Sequence, residues 1–311
     1  MRGITPHLWY DKEAKEAAEF YTTVLPNSRI TNVAVLHNTP SGDCDVVDFQ
    51  LAGQPFMGIS AGPYFKFNPS ISFHIKCGTV DEVDAIWGKL APGGSVLMEL
   101  GEYPFSKRYG WVADRYGLSW QVIHAGDRAI TQRITPVLLY VGPVSGQAEA
   151  AINLYTSVFA GSGASGASRV NMVARYGKGE APETEGTVKY ASFELLGYEF
   201  GAMDSAHRDH QFAFNEAISF LVMCDTQQEI DYFFSKLSAD PKAEQCGWLK
   251  DRFGVSWQIS PVVLDEIMRS GDQQKIDRVT QAFLPMKKLD IKAIKRAAAG
   301  QQYATAEHAG S

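Results

Sequence analysis

Residues 114–121, Asp114-Arg115-Tyr116-Gly117-Leu118-Ser119-Trp120-Gln121, return as Asp251-Arg252-Phe253-Gly254-Val255-Ser256-Trp257-Gln258. Outward from this octapeptide, three further blocks return in the same order. Ile4-Thr5-Pro6-His7-Leu8-Trp9-Tyr10 recurs as Ile134-Thr135-Pro136-Val137-Leu138-Leu139-Tyr140, and the segment Phe65 to Phe73 recurs as Phe212 to Phe220. Thr79 to Leu90 (TVDEVDAIWGKL) recurs as Thr226 to Leu237 (TQQEIDYFFSKL). Four ordered matches make the chain a tandem duplication. The spacing between copies changes from block to block, so insertions fall between elements, where surface loops accept them. Copy one has Gly93 to Arg108, including the strand-like Val96 to Leu100, where copy two has only Ser238 to Gln245. Copy two is therefore expected to have lost or shortened a strand.

Each copy reads as strand, helix, strands, then strand, helix, strands. Ala14, Ala17, Ala18, Tyr21, Val24 and Leu25 recur at the i, i+3, i+4, i+7 spacing of one buried helical stripe. Ala148, Ala151, Ile152, Tyr155, Val158 and Phe159 repeat it. Pro26 and Gly161 are placed to end these helices, one by lacking a donor and the other by tolerating φ > 0. Thr79 and Thr226 are expected as N-caps of the second helices. Val46 to Leu51 and Ala191 to Leu195 alternate as half-buried strands do. After Pro261 the repeat stops, and helices are expected over 262–269, 273–283 and 291–299, the last capped by Asp290. The glycine- and serine-rich segment 161–166 reads as a flexible loop and lacks the Lys-Ser/Thr of a phosphate loop.

Composition narrows the function classes. A length of 311 residues suggests about two ordinary domains, and 45% hydrophobic residues supply their cores. A net charge of −6 argues against a nucleic-acid surface, which needs clustered Lys and Arg. No apolar run approaches the roughly 20 residues of a membrane helix. The start runs straight into a strand-like segment with no signal peptide visible. The four cysteines show no CxxC spacing, and Cys77 and Cys224 end matching strands, where Cys is usually a small core residue. A cytoplasmic protein is expected, with no nucleic-acid or membrane partner; a homodimer is left open.

The ITPxLxY strands, the FxFNxxISF segment and CGWLKDRFGVSWQI resemble the PhnB-like branch of the glyoxalase/bleomycin-resistance/dioxygenase (vicinal oxygen chelate) superfamily. Many such proteins carry the label 3-demethylubiquinone-9 3-methyltransferase-like. The resemblance implies an α+β fold of two tandem domains, each of paired βαβββ modules whose strands curl into a cup for a small ligand. The expected boundaries are 1–127 and 132–262 for the two domains, 263–299 for a C-terminal helical extension and 300–311 for a disordered tail. The wider superfamily includes metal-dependent lyases, isomerases and dioxygenases as well as metal-free drug-sequestering proteins. Methyl transfer is not expected, because no glycine-rich donor-binding turn follows a strand.

Strand alternation separates helix-packed side chains from cup-facing ones. It leaves His7 and Trp9 facing the cup on the first strand, Ser72 and His74 on the ISF strand, and Ser119 and Gln121 on the last. His7 and His74 are the candidate general bases. Trp9, Ser72, Gln121, Tyr64, Phe65, Tyr103 and Phe105 are candidate ligand contacts, the last four because they sit in Gly/Pro-containing loops. Phe56, Phe73 and Trp120 read as core. No cofactor is expected. His7, His74 and Gln121, with Asp48 or Glu99, make at best a weak metal site, since Gln121 stands where metal-binding members of the superfamily have Glu and an amide is the poorer ligand. The copy-two equivalents, Val137, Leu139, Ser219, Leu221, Ser256 and Gln258, include no strong ligand. The expected function is a lyase, isomerase or cyclase acting on a hydrophobic or aromatic metabolite in the first-domain cup; the alternative is a non-enzymatic protein that sequesters such a compound.

Overall fold

A computed structural model describes residues 3–301. The tail expected over 300–311 lies outside the described residues from 302 onward. The chain forms four successive quarters of βαβββ type. The first holds β1 (Ile4–Tyr10), α1 (Ala14–Val24), β2 (Arg29–Thr39), β3 (Gly42–Leu51) and β4 (Gln54–Ser60). The second holds β5 (Ile71–Cys77), α2 (Val80–Leu90), β6 (Ser95–Tyr103), β7 (Ser106–Ala113) and β8 (Ser119–His124). Copy two repeats this with β9 (Ile134–Tyr140), α3 (Ala148–Ala160), β10 (Arg169–Arg175), β11 (Val188–Leu195) and β12 (Tyr198–Asp204). Its last quarter has β13 (Ile218–Cys224), α4 (Gln227–Leu237), β14 (Trp248–Lys250) and β15 (Ser256–Pro261). That quarter has one strand fewer and a three-residue β14, as the shortened segment 238–245 predicts. Gly161 does follow α3, but at φ −77°, so the left-handed turn expected of it is not used.

The quarters pair across the copies. One curved sheet runs β14-β15-β13-β1-β4-β3-β2, so it joins the first quarter to the fourth; the other runs β10-β11-β12-β9-β5-β8-β7-β6, joining the second to the third. The joins are equivalent. β1 lies antiparallel to β13 with His7 opposite Ser219, and β5 lies antiparallel to β9 with His74 opposite Thr135. The two copies are thus related by a pseudo-twofold arrangement. This corrects the expected location of the ligand cup: no sheet belongs to copy one alone, and His7 and His74 lie in different sheets.

The main core fills the space on the helix side of both sheets. Leu8, Tyr10, Phe49 and Phe56 from one sheet and Phe73, Trp120 and Val122 from the other are buried there with the stripes of α1 and α2. The recurrent octapeptide closes each half of this core by a buried aspartate. Asp114 accepts hydrogen bonds from Tyr21 Oη and Trp120 Nε1, both 2.8 Å, and from the amides of Tyr116 and Leu118. Asp251 does the same for Tyr155 Oη, Trp257 Nε1 and the amides of Phe253 and Val255. Gly117 and Gly254 turn the chain at φ +84° and +91°, a region costly for a side chain with Cβ. The most repeated motif in the chain therefore serves structure, since burying a carboxylate demands partners for its oxygens.

Past β15 three helices cover the seven-stranded sheet: α5 (Val262–Met268), α6 (Gln273–Phe283) and α7 (Ile291–Ala298). Asp272 and Asp290 cap the latter two, accepting from Lys275 N and Ala293 N. The helices are tied to the sheet at both ends. His37 on β2 contacts Asp277 at 2.9 Å, and Gln273 donates to the carbonyl of Val35. Cys246 N and Gly247 N donate to the carbonyls of Met286 and Lys287. Ile276, Val279, Phe283 and Ile294 are buried in a second apolar cluster with Leu36 and Cys44 of the sheet.

Candidate ligand-binding site

Between the seven-stranded sheet and these helices lies a cavity of about 550 Å³, within the size range of small-molecule sites. Its floor comes from both copies: His7 and Trp9 on β1, Asp48 on β3, Met57 and Ile59 on β4, Leu221 and Met223 on β13, and Gln258 on β15. Leu264 and Met268 of α5, with Phe283 and Leu284 at the end of α6, form the opposite wall. Strand alternation explains the floor. Leu8, Tyr10, Phe220 and Val222 face the helix-side core, so their neighbours His7, Trp9, Leu221 and Met223 face the cavity. An aromatic cluster lines one side. Trp9 meets Phe65 at 5.0 Å, Trp248 at 5.9 Å and Tyr64 at 6.4 Å between ring centroids, all edge-on. Its indole N–H is already satisfied by the carbonyl of Gly62 at 2.8 Å.

The polar groups of the floor are few, and Lys242 and Glu216 line the wall beside it. His7 is buried, its Nδ1 has no hydrogen-bond partner among the described residues, and burial lowers its pKa to about 3, so the ring is neutral at neutral pH. Gln258 Nε2 donates to Ser219 Oγ at 2.9 Å. Asp48 is buried, which raises its pKa, and Arg269 counters this from 3.1 Å. Arg269 also holds Asp265 at 3.0 Å, and Asn32 donates to Asp48 at 3.3 Å. The buried carboxylate of the cup is therefore already partnered.

The remaining candidate residues fall on the eight-stranded sheet, away from this cavity. His74 Nε2 lies 2.7 Å from Gln121 Oε1, which also accepts from Tyr109 Oη at 2.6 Å. Gln121 Nε2 donates to Ser72 Oγ at 2.7 Å, and the His74 ring stacks on Tyr190. Burial lowers the pKa of His74 to about 4, a shift its bond to Gln121 opposes. The four side chains satisfy one another. Tyr103 and Phe105 stack together at the β6–β7 turn and pack edge-on against Tyr109. Of the predicted contacts, the structure thus brings His7, Trp9, Tyr64 and Phe65 to the cavity and separates Ser72, His74, Gln121, Tyr103 and Phe105 from it.

The donor chemistry does not suit a divalent metal in either place. His7 and His74 cannot share an ion across two sheets, and the strand neighbours of His7 are Met57 and Ser219. Asp48 and Glu99, expected to complete such a site, are likewise on different sheets. Among the described residues no three His, Cys, Asp or Glu side chains gather as a metal would need.

A sequence model of the family described as 3-demethylubiquinone-9 3-methyltransferase matches twice, over residues 2–123 and 132–260. The chain belongs to this family. Both copies carry its pattern, so the chain is a tandem form of it. Among solved structures, a putative 3-demethylubiquinone-9 3-methyltransferase, PhnB protein, from Bacillus cereus is 39% identical over 39% of this chain and 98% of its own, with TM-score 0.37. Glyoxalase I from Zea mays is 10% identical over 82% of this chain and 92% of its own, with TM-score 0.48. A putative dioxygenase from Bacillus subtilis is 13% identical over 82% and 84%, with TM-score 0.47. No curated protein matches the chain. No helix among the described residues is long and apolar enough to cross a membrane.

Sequence reasoning missed the contributions of copy two and of the C-terminal helices. A usable signal was present on β13, where Leu221 and Met223 are as apolar as Phe220 and Val222. A strand apolar on both faces needs cover on both, and the helices after Pro261 were the unassigned segment able to supply it.

Proposed function

We propose that the protein binds a hydrophobic, ring-containing small molecule in the cup of the seven-stranded sheet, beneath α5 and α6, and that it acts by holding that molecule. The observation that carries this reading is the mainly apolar cavity of about 550 Å³, with His7 and Gln258 among the neutral polar residues that line it. The chemistry of the candidate bases favours binding over transformation. A general base works best with a pKa near the operating pH, whereas burial takes His7 to about 3 and His74 to about 4. His74 is in addition committed to Gln121. The methyl transfer in the family description forms no part of this reading.

Trp9 and Trp248 line the cavity, so ligand entry is expected to change tryptophan fluorescence. Native mass spectrometry of the purified protein should identify carried compounds, and titration of Met223→Trp, which fills the cavity, should show binding abolished. A control on the exposed edge of the other sheet, Val96→Trp, should bind normally. Undiminished binding by Met223→Trp would place the site elsewhere, and turnover of the bound compound lost in His7→Ala would convert the binding protein into an enzyme.

A further inference from the structure

We infer that the cup selects an uncharged head group, a hydroxyl or carbonyl on an apolar ring system, seated on His7 and Gln258, and discriminates against a carboxylate or ammonium on the same ring. This rests on the small-molecule reading of the cavity and specifies its ligand. β15, β13 and β1 lie side by side, with Ser219 opposite both His7 and Ser256. Across these three strands runs a short neutral strip beside the apolar Trp9, Leu221 and Met223. Gln258 lines the cavity and is oriented by the bond from Nε2 to Ser219 Oγ, which leaves Oε1 as its acceptor. His7 lines the cavity with a ring that has one donor and one acceptor nitrogen in its neutral form.

Charge on the ligand finds no counterpart at this strip. Asp48 lies two strands from His7, through Met57 on β4, or roughly 10 Å at ordinary strand spacing. Its carboxylate and that of Asp265 occupy the nearby guanidinium of Arg269. A ligand carboxylate seated on the strip would be desolvated without a cation on the strands of the floor, Lys242 lying instead on the 238–245 loop of the wall, and an ammonium would find Asp48 and Glu216 already paired with Arg269 and Lys250; either burial is costly. A neutral hydroxyl loses only hydrogen bonds to water that the imidazole and the amide replace.

Four probes sharing one ring separate this inference from the reading beneath it: naphthalene, 2-naphthol, 2-naphthoate and 2-naphthyltrimethylammonium, titrated at pH 7.5 into wild type, His7→Phe and Gln258→Leu. Wild type is expected to bind 2-naphthol about 3- to 10-fold more tightly than naphthalene, in keeping with one or two neutral hydrogen bonds. Both charged probes should bind at least about 10-fold more weakly than 2-naphthol. Each variant should lose the preference for 2-naphthol, read as the ratio of its affinity to that for naphthalene within the same protein. Equal affinity for naphthalene, naphthol and naphthoate overturns the head-group assignment and leaves the apolar cup standing. Failure of all four probes to bind overturns the reading of the cup itself. Tighter binding of the ammonium than of naphthol also overturns the assignment, since the seat would then be the aromatic cluster around Trp9.

Discussion

Moving the protein from pH 7.5 to pH 5.0 is expected to destabilise it through its two buried histidines, His7 and His74. Both rings are held neutral by burial, with pKa values lowered from 6.5 to about 3 and about 4. Because the folded value lies below the unfolded one, the unfolded chain binds more protons over this window, and stability falls as pH falls. The contribution of each ring is complete above about pH 6.5 and is lost progressively toward the folded values. At pH 5 the unfolded histidine is almost fully protonated and the folded one is not, which corresponds to about 1.5 pH units, or about 2 kcal/mol, for each ring. Carboxylates titrate over the same range, so the informative quantity is a difference between proteins. Urea unfolding of wild type, His7→Phe and His74→Phe at both pH values should show each variant losing about 2 kcal/mol less than wild type on acidification. Variants with the same pH dependence as wild type, within about 0.5 kcal/mol, would mean that the rings are solvated or protonated in the folded protein.

Asp251→Asn should lose about 2–4 kcal/mol in chemical denaturation, because an amide nitrogen would replace one carboxylate oxygen among four donors; a loss below about 0.5 kcal/mol would remove the structural role assigned to the repeated octapeptide. In Gly110→Ala the new Cβ would intrude on the Trp87 ring packed over β7, and a cost of about 1–3 kcal/mol is expected from overpacking, read as a lower thermal midpoint. Arg269→Ala should push the Asp48 carboxyl further above the usual aspartate range by removing its nearest cation, which carboxyl-carbon NMR titration would register; an unmoved titration would show that Arg269 does not govern that group.

The duplication, the helices with their caps and the missing strand of copy two were all legible in the sequence. Each depends on local chemistry: the spacing of Ala17, Ala18 and Tyr21 on α1, the hydroxyl of Thr226 before α4, the short segment 238–245. Alternation also sorted the faces correctly, putting His7 and Trp9 opposite the buried Leu8 and Tyr10. What it could not supply was the partner of each strand. β1 and β5 carry similar sequences and similar free edges, so nothing within copy one says whether they pair with each other or with β13 and β9. The choice rests on contacts far apart in the sequence, such as Pro6 with Phe220. For the same reason His74 and Gln121 looked like cup ligands, when Tyr109 and Ser72 satisfy Gln121 on the other sheet.

The exchange of halves has a consequence for how the two cups can change through mutation. In the cup under α5 and α6, the symmetric positions hold His7 and Leu221; in the other they hold Val137 and His74. Two identical, separate copies of such a module would build both cups from one set of codons, and every substitution would appear twice. Fusion removes that constraint: each of the four positions is encoded once, and each cup draws one from either copy. The chain has used this freedom by placing one histidine of the pair in each cup, in different quarters. In one cup the polar side chains bond to one another through Gln121, while the other lies under a helical cover and is hollow. Each copy supplies half of each sheet, so in this chain the pair can diverge in chemistry but not in company.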